Sequence, residues 1–445
     1  MKQKGFWKQY KELIKDVVLD YQYQVMLDEK DITIERERED ASLPHERSQA
    51  ITNLKIAAGL EEGEHYGWWF QDTDVYKWIE TAAYTLENFD DPKLKKRVDD
   101  VIDIIELAQE DSGYLSTFYQ LRAPELKYKE LDKSHELYNA GHLIEAAVAY
   151  YRATNEKKLL DVSIKFVQNI MDNFGEGKIE GADGHQEVEL ALVKLYQLTQ
   201  DKKYLDLSRY FIDVRGKNPE FYNEQKRALN QEPFTNLDYL QAYDLPINQK
   251  EAKGHAVRML YMMEAMADLA YYQDNAKMES AVKTLWDDII NTKMYVTGGV
   301  GQTVQGEAFA QSYELPNDTM YCETCAAIGM VNTAKRLFKL EQDDAIIDTM
   351  ERSLYNGMLA GMSQDGEHFF YVNPLEYIKD RYNPDKGHVK GERPEWLGCA
   401  CCPPNIARTI ASIDSYFYSK VDNDLYIHMY GDAKYEDENI TIIQT

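Results

Sequence analysis

Two kinds of helical segment alternate along most of this chain. In the first kind, alanine and large apolar residues occupy more than one helix face, which is typical of helices that are buried on several sides. The second kind is polar along one face, and Asp or Asn often stands at its start, as expected of helix N-caps. The buried segments are 75–89, 134–154, 184–199, 254–272, 323–340 and 402–419. The one-sided segments are 7–26, 91–109, 155–174, 201–215, 275–293 and 343–361.

Strict alternation of the two kinds indicates a helix-pair repeat. Such a pair buries its apolar face only by packing against neighbouring pairs. Six pairs that close on themselves predict an all-α fold, an (α/α)6 toroid with the buried helices as its inner ring. An open superhelix is the competing arrangement. The long connecting segments 216–253 and 293–322 favour a toroid with an elaborated rim.

The pattern changes near the C-terminus. From about residue 420 apolar and polar residues alternate as they do in β-strands. Two strands are not stable alone in water. We therefore expect a helical domain over residues 1–419, and we expect residues 420–445 to be the first strands of a β domain that the chain leaves incomplete.

The charge of the chain excludes several classes of partner. Lys and Arg number 50 and Asp and Glu number 77, so the net charge is 50 − 77 = −27. A surface this acidic repels nucleic acids and anionic membranes. No apolar stretch has the length of a membrane span, and the charged N-terminal segment does not resemble a signal peptide. We expect a cytoplasmic protein, in which thiols are normally reduced.

All five cysteines lie in two short segments. Cys322 and Cys325 belong to the first, and the second contributes Cys399, Cys401 and Cys402. Clustered thiols in a reducing compartment favour a metal site, and Zn²⁺ takes four ligands from Cys, His and carboxylate side chains. One alternative is an all-cysteine structural zinc site formed by the first segment and two thiols of the second. Another is a group of buried thiols without a metal.

Three Gly-His pairs stand near the predicted starts of buried helices. These are Gly141-His142, Gly184-His185 and Gly254-His255, while Glu323 and Cys402 open the fifth and sixth buried helices. If all inner helices run the same way, these residues gather at one mouth of the toroid. The free N–H groups there favour thiolates, carboxylates and hydroxyl-rich ligands. A single histidine at a helix start usually does no more than hydrogen-bond to the backbone. Three histidines at equivalent repeat positions make a ligand-binding role an equally good interpretation.

Several longer motifs resemble one enzyme family. The segments 306–330 and 396–412 are similar to the signature segments of the β-L-arabinofuranosidases of glycoside hydrolase family 127 (GH127). So are the segments 70–80, 133–150, 181–196 and 254–262, and the similarity runs from about Phe6 to the end of the chain. The resemblance implies an (α/α)6 catalytic barrel followed by β-sandwich domains.

The resemblance also implies roles for individual residues. A Zn²⁺ ion would be held by Glu323, Cys325, Cys401 and Cys402. Cys401 would be the nucleophile and Glu307 the general acid/base. The residues that would bind sugar hydroxyls are His142, His185, His255 and Tyr371. Cys399 would lie outside the metal shell, and Cys322 stands where relatives tend to have a small residue, which is a departure from the family pattern.

The implied chemistry is physically reasonable. A free cysteine is mostly protonated at neutral pH, and coordination to zinc removes the proton. Cys401 could then attack the anomeric carbon while Glu307 protonates the leaving oxygen, as one carboxyl group does in most retaining glycosidases. An alternative makes Glu323 the nucleophile and leaves the thiols as structural ligands.

The sequence therefore predicts a retaining, exo-acting glycosidase that releases β-L-arabinofuranose from small oligosaccharides. A related toroid glycosidase with different sugar specificity is the first alternative, because fold does not fix function. The second is a non-catalytic sugar-binding or scaffold toroid with a structural zinc. We expect a small oligosaccharide as the partner, with no nucleic acid or membrane, and we allow for a homodimer.

Overall fold

The computed structural model describes residues 5–36, 44–379, 387–431 and 433–444. The remaining parts of the two predicted domains, at 1–4, 37–43, 380–386, 432 and 445, lie outside these ranges. The described chain is mostly helical. Its α-helices are α1 (Phe6–Leu13), α2 (Leu19–Met26), α3 (Ala50–Ala57), α4 (Asp72–Asn88), α5 (Pro92–Ala108), α6 (Thr117–Leu121), α7 (Glu136–Thr154), α8 (Lys158–Asn173), α9 (Val188–Thr199), α10 (Lys202–Val214), α11 (Phe221–Ala228), α12 (Ala256–Gln273), α13 (Ala276–Thr292), α14 (Thr324–Leu340), α15 (Asp344–Arg352) and α16 (Cys402–Ala411).

The strands are short and form two-stranded sheets. They are β1 (Ile34–Glu35), β2 (Gly254–His255), β3 (Ala308–Phe309), β4 (Trp396–Leu397), β5 (Tyr418–Val421), β6 (Asp424–Ile427), β7 (Ala433–Glu436) and β8 (Thr441–Gln444). β1 pairs with β4 in parallel, whereas β2–β3, β5–β6 and β7–β8 are antiparallel. The last four strands therefore form two separate hairpins within the described residues.

Six helices contact one another in cyclic order. α4 packs against α7, α7 against α9, α9 against α12, α12 against α14, α14 against α16, and α16 returns to α4. These are the six segments that the sequence predicted to be buried on several sides. Five of the ring helices are followed in the sequence by a helix that is apolar on one face only, namely α5, α8, α10, α13 and α15. Each of these packs against the ring helix that precedes it.

Small residues allow the ring helices to approach one another closely. Gly141 in α7 is the clearest example, because an added Cβ atom would lie 2.5 Å from the side chain of Glu187 and 2.8 Å from the backbone nitrogen of Val188. Only glycine permits that approach between α7 and the start of α9. This glycine therefore serves helix packing.

The starts of the ring helices lie together at one mouth of the ring, and their ends lie together at the other. Residues at or just before the starts of the ring helices line one cavity, and residues near their ends line another. All six ring helices thus run the same way, which brings their free N–H groups to one mouth. Among the described residues, no helix combines the length and apolar character that crossing a membrane requires.

Some predicted boundaries were wrong. The sixth buried helix was predicted to reach residue 419, but α16 ends at Ala411, and a short 3₁₀ turn over Ile413–Tyr416 leads into β5. The segment 216–253 was predicted as a long connection, yet it contains α11. The opening segment is continuous from α1 to α2 through a π-helical stretch at Ile14–Val18.

Candidate functional site

A cavity of about 270 Å³ opens at the mouth where the ring helices start. Its walls combine aromatic side chains with a few polar groups, a composition that is common in ligand sites. The aromatic walls come from Trp68, Trp69, Phe70, Tyr138, Phe234, Tyr239, Tyr261 and Tyr371. The polar and titratable lining residues include His135, His185, His255, Arg258, Glu307, Glu323 and three cysteines.

Four of the predicted site residues form one compact group. The ligand atoms of Glu323, Cys325, Cys401 and Cys402 all lie within 4.8 Å of one another. The Sγ of Cys325 is 3.8 Å from that of Cys401 and 3.5 Å from that of Cys402. Oε1 of Glu323 is 3.3 Å from the Cys401 sulfur and 3.7 Å from the Cys402 sulfur. The fold thus joins two segments that lie far apart in the sequence.

These separations match a tetrahedral zinc shell. With Zn–S bonds of about 2.3 Å, two sulfurs of a tetrahedron lie about 3.8 Å apart, and a sulfur–oxygen edge is slightly shorter. The sulfur–sulfur distances here are 3.5, 3.7 and 3.8 Å. One carboxylate oxygen, Oε2 of Glu323, is buried without a hydrogen-bond partner in the described structure. The donor set therefore fits a zinc ion.

The pKa shifts within the group also favour a bound cation. Burial, together with the neighbouring Cys401 and Glu307, raises the pKa of Glu323 well above its usual value. Burial would also raise the pKa of Cys325, but the adjacent thiols of Cys401 and Cys402 lower it to about 6. Acidic groups this close repel one another once ionised, so a bound cation would stabilise their deprotonated forms.

Local backbone structure sets the position of Cys401. It is the N-cap residue of α16, and Pro403 and Pro404 occupy the first turn, where a missing N–H is tolerated. The preceding residues form β4, whose pairing with β1 is extended by a hydrogen bond from Gly398 N–H to the Glu35 carbonyl. A Cβ atom at position 398 would lie 1.7 Å from the Pro44 carbonyl oxygen, so this close approach requires glycine.

Exposure separates the members of the group. Cys325 and Glu323 are each 3 % exposed and Cys402 is 1 % exposed, whereas Cys401 is only half-buried. Cys401 also lines the cavity. Its sulfur is therefore the most accessible one in the group.

The other two cysteines lie outside this group. Cys322 packs with Tyr295 and Met320 in a separate small cluster, and burial raises the pKa of its thiol. Cys399 lines the cavity, with its sulfur 3.8 Å from the Tyr371 hydroxyl. An all-cysteine site that includes Cys322 is therefore not what the structure forms.

Glu307 lies beside His255 at the cavity wall. Oε2 of Glu307 is 3.1 Å from Nε2 of His255 and accepts a hydrogen bond of 3.4 Å from the Tyr371 hydroxyl. The pairing of β2 with β3 places His255 opposite Ala308, which directly follows Glu307. A left-handed backbone at Gly306 and Glu307, with φ of 71° and 53°, forms the turn before β3. One oxygen of Glu323 is within 4.8 Å of both the His255 and Glu307 ligand atoms.

Tyr371 and His185 also reach the cavity. The carbonyl of Tyr371 accepts a hydrogen bond from Thr324 N–H at the start of α14, which holds this tyrosine next to Glu323. His185 precedes α9, its N–H donates to Asp183, and its Nδ1 is 2.8 Å from the Gln186 carbonyl. Burial, with the nearby Arg258, keeps the pKa of His185 well below its usual value, so this ring is neutral at pH 7.

His142 does not reach the cavity. The sequence placed Gly141-His142 near a helix start, but α7 begins at Glu136, so this pair lies inside the helix. The His142 ring is fully buried behind Tyr138, with ring centroids 4.6 Å apart. Its Nδ1 is 3.3 Å from carboxylate oxygens of Glu145 and Glu187. The helix-start position expected for this pair was wrong, because α7 begins more than one turn earlier.

His135 is the histidine that occupies the helix-start position of α7. It precedes the helix directly, as His255 precedes α12, and it lines the cavity. Its Nδ1 lies 2.6 Å from the Lys133 carbonyl oxygen and 3.0 Å from the Trp69 indole nitrogen, and the ring lies 5.4 Å from that of His185. Burial lowers the pKa of His135 to about 3. The sequence could have indicated His135, because it lies in the same 133–150 motif as His142.

Sequence comparisons with known proteins agree with this geometry. The family model for the β-L-arabinofuranosidase GH127 catalytic domain matches residues 2–415. A curated non-reducing end β-L-arabinofuranosidase from Bifidobacterium longum subsp. longum is 44 % identical over 430 residues. That match covers 94 % of this chain and 65 % of the relative, so the chain spans slightly less than two thirds of the relative's length.

Solved structures agree with the sequence comparisons. A GH127 β-L-arabinofuranosidase from Geobacillus stearothermophilus T6 is 46 % identical, with a TM-score of 0.93 over 100 % of this chain and 70 % of that chain. A second GH127 β-arabinofuranosidase is 36 % identical, with a TM-score of 0.82 over 97 % of this chain and 63 % of that chain. The chain therefore belongs to the GH127 β-L-arabinofuranosidase catalytic-domain family.

Proposed function

We propose that this chain is the catalytic part of a retaining, exo-acting glycosidase that releases β-L-arabinofuranose from small oligosaccharides. The observation that carries the proposal is the position of Cys401. Cys401 is half-buried, belongs to a group of four residues that could hold a metal ion, and lines a cavity that Glu307 also lines. A cavity of about 270 Å³ suits a single sugar ring with little spare room.

The proposed fold is an (α/α)6 barrel over residues 1–419, with residues 420–445 as the first strands of a β-sandwich domain. The cyclic contacts of the six ring helices support the barrel. The two antiparallel hairpins after residue 417 support the second part, because hairpins of this kind are the units from which sandwiches are built.

Zn²⁺ is the proposed cofactor, held by Glu323, Cys325, Cys401 and Cys402. When bound, the ion would keep the Cys401 thiol ionised at neutral pH. The chain itself fixes the direction of the sulfur, since Cys401 stands at the rigid start of α16. Holding a nucleophile in place in this way lowers the entropic part of the barrier.

The reaction would proceed in two displacements. In the first, the Cys401 sulfur forms a bond to the anomeric carbon while the bond to the leaving oxygen breaks, and Glu307 donates its proton to that oxygen. In the second, the Glu307 carboxylate takes a proton from water, the water oxygen bonds to the anomeric carbon, and the sulfur leaves as thiolate. Two inversions give net retention.

Glu323 is the alternative nucleophile. An oxygen of Glu323 lies within 4.8 Å of one of Glu307, which is close to the separation of about 5 Å found in retaining glycosidases with two carboxyl groups. Its Oε1 contacts two thiols, however, and its side chain is 3 % exposed. A ligand role explains both facts, so we assign the attack to Cys401.

His185, His255, Tyr371 and His135 are proposed to bind the sugar hydroxyls. All four line the cavity and carry a ring nitrogen or hydroxyl that can donate or accept. For His142 we propose a supporting role, because its ring packs behind Tyr138. Arg258 also lines the cavity, and its guanidinium donates to the Gly184 carbonyl at 3.0 Å and to the Tyr239 hydroxyl at 3.3 Å.

The test uses the purified chain and an aryl β-L-arabinofuranoside. Cys401→Ala should abolish turnover, and Glu307→Gln should lower kcat by about 10²–10⁴-fold, the usual contribution of general acid–base catalysis. Cys322→Ala is the matched control, because this thiol lies outside the group, and it should leave kcat unchanged. Full activity of Cys401→Ala would refute the proposal.

Two further measurements decide the finer assignments. A covalent arabinofuranose-type trap followed by peptide mass spectrometry should label Cys401, whereas a label on Glu323 would reverse the roles. A panel of aryl glycosides should show preference for the β-L-arabinofuranoside. Faster turnover of another glycoside would support a different sugar specificity.

A further inference from the structure

A second and larger cavity lies at the opposite mouth of the helix ring. Its volume is about 770 Å³, and its walls come from the C-terminal parts of the ring helices together with the turn after α16. None of its lining residues also lines the smaller cavity at the other mouth. The proposed glycosidase chemistry makes no use of this space.

We propose that this cavity binds a small anion that carries a phosphoryl or carboxylate group, through Arg152, Lys335 and Lys339. These three cations line the cavity, and none of them forms an ion pair with another described residue. Six carboxylates also line the cavity, but none of them lies within ion-pair distance of these three cations. Such donors are what phosphate and carboxylate ligands require.

The carboxylates of the same cavity are already paired. Asp414 is 2.7 Å from Lys11, Asp268 is 2.8 Å from Arg336, and Glu436 pairs with Lys434. Glu80 and Glu145 on the floor both bind Arg408 and Lys194. Among the lining carboxylates, Glu87 forms no ion pair with a described residue, and burial raises its pKa although Arg152 opposes the shift. The three cations therefore lack a close carboxylate partner, although Glu87 acts on Arg152 and Asp268 acts on Lys335 at longer range.

Lys335 is the central donor of the proposed site. Its Nζ donates to Ser415 Oγ at 2.8 Å and lies 4.4 Å from the centre of the Tyr416 ring. An ammonium group has three donors, so positions remain for a ligand. Burial and the nearby cations Lys339, Arg336 and Lys194 lower the pKa of Lys335 well below its usual value, although Asp268 opposes the shift. A bound anion would offset this repulsion.

Helix dipoles explain only part of this arrangement. Arg152 and Lys339 stand in the last turns of α7 and α14, where a cation complements the free carbonyl groups. Lys335 lies five residues before the end of α14, beyond the last turn where that effect acts. The helix end therefore does not explain the position of Lys335, whose ammonium group instead contacts Ser415 and Tyr416 beside the cavity.

The experiment titrates the purified chain with inorganic phosphate by calorimetry, at constant ionic strength and neutral pH. We expect saturable binding that Lys335→Gln weakens by about 10-fold or more, as expected when a charge-assisted hydrogen bond is lost. Lys339→Gln should weaken binding as well, and it provides a second variant if Lys335→Gln folds poorly. Lys165→Gln on α8 makes the same charge change at a residue that does not line the cavity and should bind like the parent chain.

The titrations distinguish this cavity from phosphate binding elsewhere on the chain. Absence of saturable heat would overturn the proposal, and so would equal binding by the parent chain, Lys335→Gln and Lys339→Gln. Binding that survives those two changes and is lost in Arg258→Gln would overturn it too, by placing the anion in the smaller cavity. Loss of glycosidase activity in any variant does not bear on the result, because the readout is phosphate binding alone.

Discussion

At the scale of single residues, burial decides which histidines can exchange protons with solvent. His65 is 3 % exposed, its ring packs edge-on against Phe118 at 5.3 Å, and neither ring nitrogen has a hydrogen-bond partner in the described structure. Burial, with help from Arg122, lowers its pKa to about 3. Burial also lowers the pKa of His135 to about 3, so the fold keeps at least two histidine rings neutral.

His65 gives a pH-dependent contribution to stability with a definite sign. In the unfolded chain a histidine has a pKa of about 6.5, so below that pH the unfolded state binds a proton that the folded state does not. Stability therefore falls as the pH drops from 6.5 towards 3, by about 1.4 kcal/mol per pH unit for this residue. His65→Gln should remove that part of the slope.

The measurement is urea unfolding of the parent chain and His65→Gln from pH 8 to pH 4.5. Above pH 7 both chains should show the same pH dependence, which is the internal control. Below pH 6 the free energy of unfolding of the parent should fall more steeply. Parallel curves over the whole range would contradict the prediction, because they would show that the pKa of His65 is the same in the folded and unfolded chain.

Single residues also differ in how far the sequence predicts them. The set of Glu323, Cys325, Cys401 and Cys402 was implied by the resemblance to GH127, because the clustering of thiols alone left an all-cysteine site and metal-free thiols open. Their ligand atoms lie within 4.8 Å of one another. His142 and His135 belong to one motif, and only the structure shows which one precedes α7. A shift in one helix boundary exchanges a buried ring for one at the cavity.

At the scale of elements, a buried ionic network joins α16 to its ring neighbours. The Arg408 guanidinium donates to Glu80 on α4 and to Glu145 on α7, and its Nε donates to Asn405 at 2.7 Å. Arg408 is 6 % exposed, and Glu80 and Glu145 are each 2 % exposed. Because α16 begins directly after Cys401, this network holds the element on which the proposed nucleophile stands.

Arg408→Met should destabilise the chain by up to about 3–5 kcal/mol, because the buried carboxylates of Glu80 and Glu145 then keep only Lys194 as a cation partner. Arg209→Met on α10 is the matched control. Its ion pair with Asp213 is partly exposed, with side-chain exposures of 30 % and 52 %, so the change should cost no more than about 1 kcal/mol. Chemical denaturation of both variants measures the difference.

Two results would contradict this role of Arg408. One is a similar loss of stability in the two arginine variants. The other is a stable Arg408→Met chain whose ring helices are unchanged. Adding Glu80→Gln and Glu145→Gln to Arg408→Met should restore part of the loss, because the uncompensated charges are then removed.

Element order was largely readable from the sequence, and element ends were not. The alternation of buried and one-sided helices placed the principal helical segments, because ring helices must be apolar on several faces. The same reasoning missed α11 and extended the last ring helix into β5. Ile413, Tyr416 and Phe417 remain buried after the helix stops, so hydrophobic pattern alone gives no boundary there.

At the scale of the whole molecule, one hydrophobic core runs through the ring from Trp7 to Ala433. The six ring helices supply this core. They contact one another along the ring, and not only through the candidate metal ligands. The four candidate zinc ligands occupy one mouth of the ring, at the starts of two helices. We therefore expect the fold to persist without a metal, although the candidate metal site and the ring share α14 and α16.

Removal of zinc tests this expectation. If the ion serves the reaction, treatment with a chelator should abolish turnover of the aryl β-L-arabinofuranoside while the far-ultraviolet circular dichroism of the ring persists. The midpoint of thermal unfolding should fall by several degrees, since a ligand that binds only the folded state stabilises it. Adding zinc back should restore both activity and midpoint. Loss of helical signal on chelation would instead favour a scaffold in which zinc is structural, because small zinc-dependent folds unfold without their metal.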